Sequence, residues 1–347
     1  MNTQPAKLRT GALIRFFSVA VLAASTGLAM AEPAVQNTAP GNAKSTAMVN
    51  IAGQQVPVVA GGLYDRFRSN PPLSVVAKES PRTDLSWFKT LSKTKKDVGF
   101  ETYSPNFYYE NSKVTMVFTA DLAALRALVP AKVLEQVQPL QVWPGRGLVA
   151  LTAYAYHYCD NDSYNEIALA VVTNKPGSGN YGPASLMGQA LDKEMWGYVF
   201  KLPVDTELAR VRGVVGYNLP KWTTRIDYKP TQSKVVFEVA DAKTGKTDFV
   251  IEADKLKDLS STPVLVNNSF TNLDRKGQLT TGYSVSRHLN YATSFNSDSA
   301  TLKLGNGSFS AFMRSLDLGR MVQYQYVPNF QMALYSPEPL KTAAAAE

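Results

Sequence analysis

Apolar and polar positions alternate along most of this chain, and the alternation predicts strands. Lys113 to Thr119 (KVTMVFT) is the strongest case, rich in β-branched and aromatic residues. The same texture predicts strands over 147–158, 166–173, 211–217, 224–228, 234–239, 248–253, 282–286 and 321–334. Met48 to Ala60 reads as two strand-like runs around a Gly-Gln-Gln turn. Helical spacing is rarer. Asp121 to Val129 places Leu122, Leu125 and Leu128 on one side and is stopped by Pro130. Phe309, Phe312, Met313 and Leu316 fall at helical spacing before Gly319, a short helix is expected near 85–91, and another helix over 184–196. Many strands, short turns and few helices predict a mainly β (α+β) fold, an antiparallel barrel or curled sheet.

The first 31 residues break the pattern. Lys7, Arg9 and Arg15 precede an apolar run from Phe16 to Met30, and Ala29-Met30-Ala31 supplies small residues at a cleavage site. This is the composition of a secretory signal peptide cut before Glu32, and the apolar run is short for a membrane span of roughly 20 residues. The expected product is periplasmic or secreted, with no membrane association after cleavage. Residues 32 to about 47 read as a disordered linker, 61–100 as an exposed basic and polar extension, and the tail after Lys341 as disordered.

Charge and cysteine narrow the picture further. Removing 31 of 347 residues leaves 316, and the formal charge falls from +8 to +5. That excess is spread along the chain, which argues against a nucleic-acid partner. Cys159 is the sole cysteine, so stability must come from a packed core rather than a disulfide.

Most apparent motifs dissolve on inspection. Gly177 to Gly182 matches G-x-G-x-x-G, but Asn174-Lys175-Pro176 separates it from the preceding strand and Pro183 follows at once, so a surface loop is the better reading. Asp160-Asn161-Asp162 opens like a calcium loop yet lacks the turn glycine. His157 and His288, the only histidines, cannot build a zinc site with one cysteine, and no Gly-x-Ser-x-Gly elbow is present. Two residues keep chemical interest. Lys221 follows Pro220 inside the apolar and aromatic run Gly216 to Trp222, where lost hydration would disfavour its charge and leave a nucleophilic amine. Glu166 opens an apolar strand, a setting in which a carboxyl group can move protons. Against both stands the ordinary reading, a solvated surface charge.

Three separated segments resemble the acetoacetate decarboxylase-like superfamily. Thr119 to Pro130 is similar to its strand-then-helix segment, Tyr164-Asn165-Glu166 to the start of a core strand, and Val211 to Lys221 to the segment that ends on its Schiff-base lysine. The resemblance covers a domain of about 101–340 and leaves 32–100 as additional. It implies a cone-like antiparallel barrel, a homo-oligomer, a small carbonyl or keto-acid substrate, and no cofactor. It implies Lys221 as nucleophile and Glu166 for proton handling; beside them, Trp222, Tyr217 and Tyr154 are candidate pocket walls and Arg212 a weaker candidate for contact with a substrate carboxylate. Three departures mark the chain as divergent. Trp222 stands where the decarboxylases carry a second lysine, Asn111 where they carry an arginine, and Leu151-Thr152 where they carry an acid. Two readings stay open: a Schiff-base enzyme of decarboxylase-like lyase or aldol/dehydratase type, or a non-catalytic periplasmic binding protein that uses the cavity for an apolar or aromatic ligand. A buried Lys221 within reach of Glu166 favours the first, and an exposed Lys221 defeats it.

Overall fold

The structure is a computed structural model that describes residues 45–340. The leader 1–31, residues 32–44 of the linker and the tail 341–347 lie outside the described residues.

Seven strands close a barrel: β5 (Asn106–Asp121), β6 (Arg146–Cys159), β7 (Tyr164–Val172), β8 (Glu194–Lys201), β12 (Val264–Leu273), β13 (Leu279–Ser294) and β15 (Met321–Pro339). The order around the barrel is β12-β13-β15-β5-β6-β7-β8. Every pairing is antiparallel except the closing one, in which β12 runs parallel to β8 with Asn267 opposite Glu194. A second sheet of four strands, in the order β14 (Ala300–Leu304), β11 (Thr247–Asp254), β10 (Lys234–Ala240), β9 (Ile226–Pro230), packs on the barrel wall. The mainly β, barrel-like architecture read from the sequence is what the chain adopts.

Side chains on a strand alternate between its two faces, so each wall strand serves two environments. Val114, Met116 and Phe118 of β5, Val149, Leu151 and Ala153 of β6, and Ile167, Leu169 and Val171 of β7 face the second sheet. They form one buried cluster with Phe237, Phe249 and Ile251, closed at the edge by Phe309, Met313 and Leu316 around α7 (Ser308–Ser315). Burying each such side chain stabilises the fold by about 1.5–3 kcal/mol, which makes this cluster the main core. The helix expected after Asp121 is present as α3 (Leu122–Leu128), with the Asp121 carboxylate accepting from the Ala124 N–H at 2.7 Å.

Three sequence expectations need correction. First, the segment before residue 100 is not an exposed extension. The hairpin β1 (Thr46–Ile51) and β2 (Gln54–Val59) buries Val49, Ile51, Val56 and Val58 against Leu208, Val211 and Val215 of α6 (Glu207–Tyr217). Leu63 of α1 (Leu63–Phe67), Val76 of α2 (Leu73–Glu79), Leu85 and Phe88 pack on Phe107, Tyr109 and Ala333 of the barrel. The helix expected near 85–91 is a single 3-10 turn at 88–90.

Second, 211–217 is helical. β-branched residues suggested a strand, but Thr206 caps α6 by accepting from the Ala209 N–H, Glu207 lies in its first turn, and Asn218 ends it in the left-handed region at φ 56. Apolar contacts on nearly every side erase the amphipathic period that would have marked a helix. Third, β12, rich in asparagine, was not foreseen, and α5 (Pro183–Asp192) ends earlier than expected because β8 begins at Glu194.

Candidate active site

A local crossing of three chain segments builds the site. Glu166 of β7 bridges Val204, and Val204 in turn bridges Thr223 in parallel. The Ile167 N–H donates to the Pro203 carbonyl, and the Val204 N–H to the Trp222 carbonyl, both at 3.0 Å. This ties the segment after α6 to the edge of β7. The Leu219 N–H turns back to the Gly213 carbonyl at 3.1 Å and the Lys221 N–H to the Leu219 carbonyl at 2.8 Å, fixing the direction in which the lysine leaves the backbone.

The Lys221 side chain then runs across the surface of α6 at Gly213. A Cβ added to Gly213 would stand 2.4 Å from Lys221 Cδ and 2.6 Å from Cε, so the missing side chain forms the groove that holds the lysine stem. Its Nζ meets Glu166 Oε2 at 2.5 Å, with the two side chains 5% and 8% exposed. Tyr156 donates its hydroxyl to the other carboxylate oxygen at 3.2 Å. Nearby, Tyr108 and Tyr164 share a hydroxyl hydrogen bond of 2.9 Å, and the Tyr164 ring lies 5.7 Å from Lys221 Nζ. Burial pushes the phenols of Tyr108, Tyr156 and Tyr164 well up, so all three stay protonated hydrogen-bonding groups across the physiological range.

Of the other residues proposed from sequence, Tyr154 belongs to this constellation. It stacks on Tyr156 with centroids 5.3 Å apart and lies opposite Glu166 in the strand register. Tyr217 is buried with Leu202, Leu219, Ala168 and Phe270, its hydroxyl without a hydrogen-bond partner. Trp222 turns the other way. Its ring packs on Phe309 at 5.6 Å, in the core under the four-stranded sheet, so it is set apart from the Lys221–Glu166 pair. Arg212 is 1% exposed and donates to Asn106 Oδ1 at 2.8 Å and Thr102 Oγ1 at 2.9 Å, with Tyr64 stacked 5.1 Å away. These contacts join α6 to the N-terminal segment, and a substrate carboxylate is not needed to explain the residue.

Two groups escaped the sequence reading. Asp205 accepts from the backbone and side-chain N–H groups of Asn165 at 2.8 and 2.9 Å, and burial, with a smaller push from Glu166, raises its carboxyl to about 7. Lys113 projects from β5 into the barrel interior, and Asn111, two residues earlier, donates to the Tyr108 and Phe330 carbonyls. The only sequence signal for either was position within an alternating strand or before a helix cap. His157 sits on the other face of the wall, its Nε2 2.9 Å from Ser112 Oγ. Among the described residues no group of three His, Cys, Asp or Glu side chains could hold a metal ion, and no helix is long and apolar enough to cross a membrane.

A cavity of about 240 Å³ is lined in part by Val214, Asn218, Leu219, Pro220 and Asn272, without Lys221 or Glu166 in its wall.

No family model matches the chain, and no curated protein matches it by sequence. Solved structures do. An acetoacetate decarboxylase from Legionella pneumophila is 11% identical, with a TM-score of 0.50, over 69% of this chain and 88% of that one. An enduracididine biosynthesis enzyme complexed with pyruvate is 12% identical, TM-score 0.49, over 69% and 91%. An acetoacetate decarboxylase-like enzyme from Sphingomonas wittichii is 14% identical, TM-score 0.42, over 69% and 94%. At such identities the likeness is one of architecture, and at that level it agrees with the resemblance carried by the three sequence segments: this chain has the acetoacetate decarboxylase-like fold.

Proposed function

We propose that this protein is an exported enzyme that forms a Schiff base between Lys221 and a small keto acid. The observation that carries the reading is the buried Lys221–Glu166 pair at 2.5 Å, with Tyr156 on the second carboxylate oxygen. For attack, the lysine proton passes to Glu166. The Nζ lone pair forms the C–N bond to the substrate carbonyl carbon while the C=O π pair moves to oxygen. Glu166 returns that proton to the oxygen and then carries a second one from the nitrogen to the same oxygen, which leaves as water as the nitrogen lone pair forms the iminium. The iminium takes up the electron pair released either when carbon dioxide departs or when a proton leaves the adjacent carbon, so decarboxylation and aldol or dehydration chemistry share these first steps. Tyr156 holds Glu166 in one orientation through the cycle. Borohydride trapping with a panel of 2-keto and 3-keto acids, followed by peptide mass spectrometry, tests this. An adduct on Lys221 is expected, and its absence across the panel refutes covalent chemistry there.

The inner face also supports a second reading. Tyr108, Tyr154, Tyr156, Tyr164 and Phe330 give it an aromatic character suited to an apolar ligand. Binding of such a ligand that is unchanged in Lys221→Ala would favour a carrier over an enzyme. Export and a homo-oligomeric state are part of the same proposal. N-terminal sequencing of the protein from fractionated cells should begin at Glu32, and light scattering should give a mass above one subunit.

A further inference from the structure

Among the described residues, the most deeply buried cations have polar partners, with Lys113 the exception. Lys221 has Glu166, Lys93 has Asp160 at 2.5 Å, and Arg212 has Asn106 and Thr102. Lys113 is 6% exposed and, among the described residues, takes part in no ion pair and no side-chain hydrogen bond. Its Nζ lies 5.2 Å from the Phe330 ring centre and 5.8 Å from that of Tyr154. The titratable group that faces it is His288, 2% exposed, whose Nε2 has no hydrogen-bond partner.

The strand register places this lysine relative to the pair already described. Lys113 lies opposite Tyr154, and Tyr154 lies opposite Glu166. Directly opposed residues share a sheet face. The two lysines therefore belong to one belt of the barrel interior, on either side of the stacked tyrosines.

We propose that Lys113 is a second reactive amine of this interior, one that condenses with a small uncharged carbonyl compound to give an imine without help from Lys221. The physical ground is desolvation with little compensation: water is excluded, no anion replaces it, and the cation–π contacts with the Phe330 and Tyr154 rings, at 5.2 and 5.8 Å, offset only part of the lost hydration. Burial draws this amine down to about 8. At pH 8 about half of it is then neutral, against less than about 1% of an ordinary lysine. The same burial, with the Lys113 charge as a smaller contribution, pushes His288 down to about 2, so the imidazole is neutral.

The step balances without a further reactant. The Nζ lone pair forms a bond to the carbonyl carbon as the C=O π pair moves to oxygen. One proton passes from nitrogen to oxygen, the oxygen leaves with a second nitrogen proton as water, and a neutral imine remains. The Nε2 of His288, which has no hydrogen-bond partner of its own, would hydrogen-bond the departing oxygen. This proposal goes beyond the Lys221 reading and does not depend on it.

The test uses the full chain with acetaldehyde and cyanoborohydride between pH 6 and 10, followed by peptide mass spectrometry. Lys113 should be alkylated at least tenfold faster than the exposed Lys243 at pH 7, with a rate that reaches half its maximum near pH 8, and the label should persist in Lys221→Met. Labelling of Lys113 no faster than Lys243, or none at all, overturns the proposal whatever happens at Lys221. If Lys113 stays unlabelled but propionate binds the native protein and not Lys113→Met, the residue is a cation that holds anions, which also overturns it. A label on Lys113 with no keto-acid adduct on Lys221 would refute the first site alone.

Discussion

The wall made by β5, β6 and β7 has two faces, and the same strands supply both. Toward the four-stranded sheet, Val114, Met116, Leu151, Ala153, Ile167 and Leu169 meet Phe237 and Ile251 in a dry apolar core. Toward the barrel interior, the residues one step along are Lys113, Thr115, Thr152, Tyr154 and Glu166. One face contributes the stability of the fold; the other is a closed polar and aromatic interior whose ionisable groups are costly to bury. The apolar core and the candidate site are thus separated by the pleat of a strand rather than by domains. A change on one face should leave the other's property largely intact.

The largest effect is expected on the apolar face. Phe237 is 0% exposed, and Phe237→Ala should cost about 3–5 kcal/mol in urea unfolding. Keto-acid trapping at Lys221, measured per folded molecule, should be unchanged, and a parallel fall would show that the faces are not independent. Next comes the pair itself. Lys221→Met leaves Glu166 buried without its cation and should cost about 3 kcal/mol or more, and adding Glu166→Leu should recover most of that loss.

The opposite sign is expected at Lys113. Its amine is depressed from 10.5 to about 8 in the folded state. The unfolded chain therefore binds this proton more readily between those values, and stability is lost as pH falls from about 10.5 to 8 and stays lost below. Lys113→Met should be more stable than the native protein at pH 7 by roughly 3 kcal/mol, a gain that vanishes above about pH 11. Equal stability at both pH values would mean that the lysine is hydrated. The smallest effect is at the groove. Gly213→Ala should cost about 1–2 kcal/mol through overpacking against the Lys221 stem, and should reduce trapping at Lys221 without changing labelling at Lys113.

Much of the architecture was legible because alternation in 113–119, 147–158 and 166–173 reports strands directly, and Asp121 and Pro130 bracket a helix in plain sequence. Lys221 and Glu166 stood out through their apolar neighbours and through the order of three segments. Other features were hidden for definable reasons. Alternation shows which residues share a face, but not whether that face meets water. In an open sheet Lys113 would point to solvent; in a closed barrel it points inward. Asp160 read as part of a polar loop, yet it is fully buried and takes the Lys93 ammonium, the Phe107 N–H and the Tyr109 hydroxyl. Those partners are 67, 53 and 51 residues away, beyond the range of any local pattern. The helix at 207–217 was hidden because burial on nearly all sides leaves no polar stripe to set its period.

That helix has a back as well as a front. While Gly213 carries the lysine, Gly216 admits Val98 and Phe100, and Arg212 reaches Thr102 and Asn106. Anyone trimming this protein to a minimal working unit would meet the consequence at once. A chain begun at residue 101 would keep every barrel strand, but would expose Leu208, Val211 and Val215 to water and loosen the platform beneath Lys221. The segment that lies outside the sequence resemblance is thus a fixture of the machine, and the shortest version that still presents its lysine should have to begin no later than the first hairpin, at Thr46.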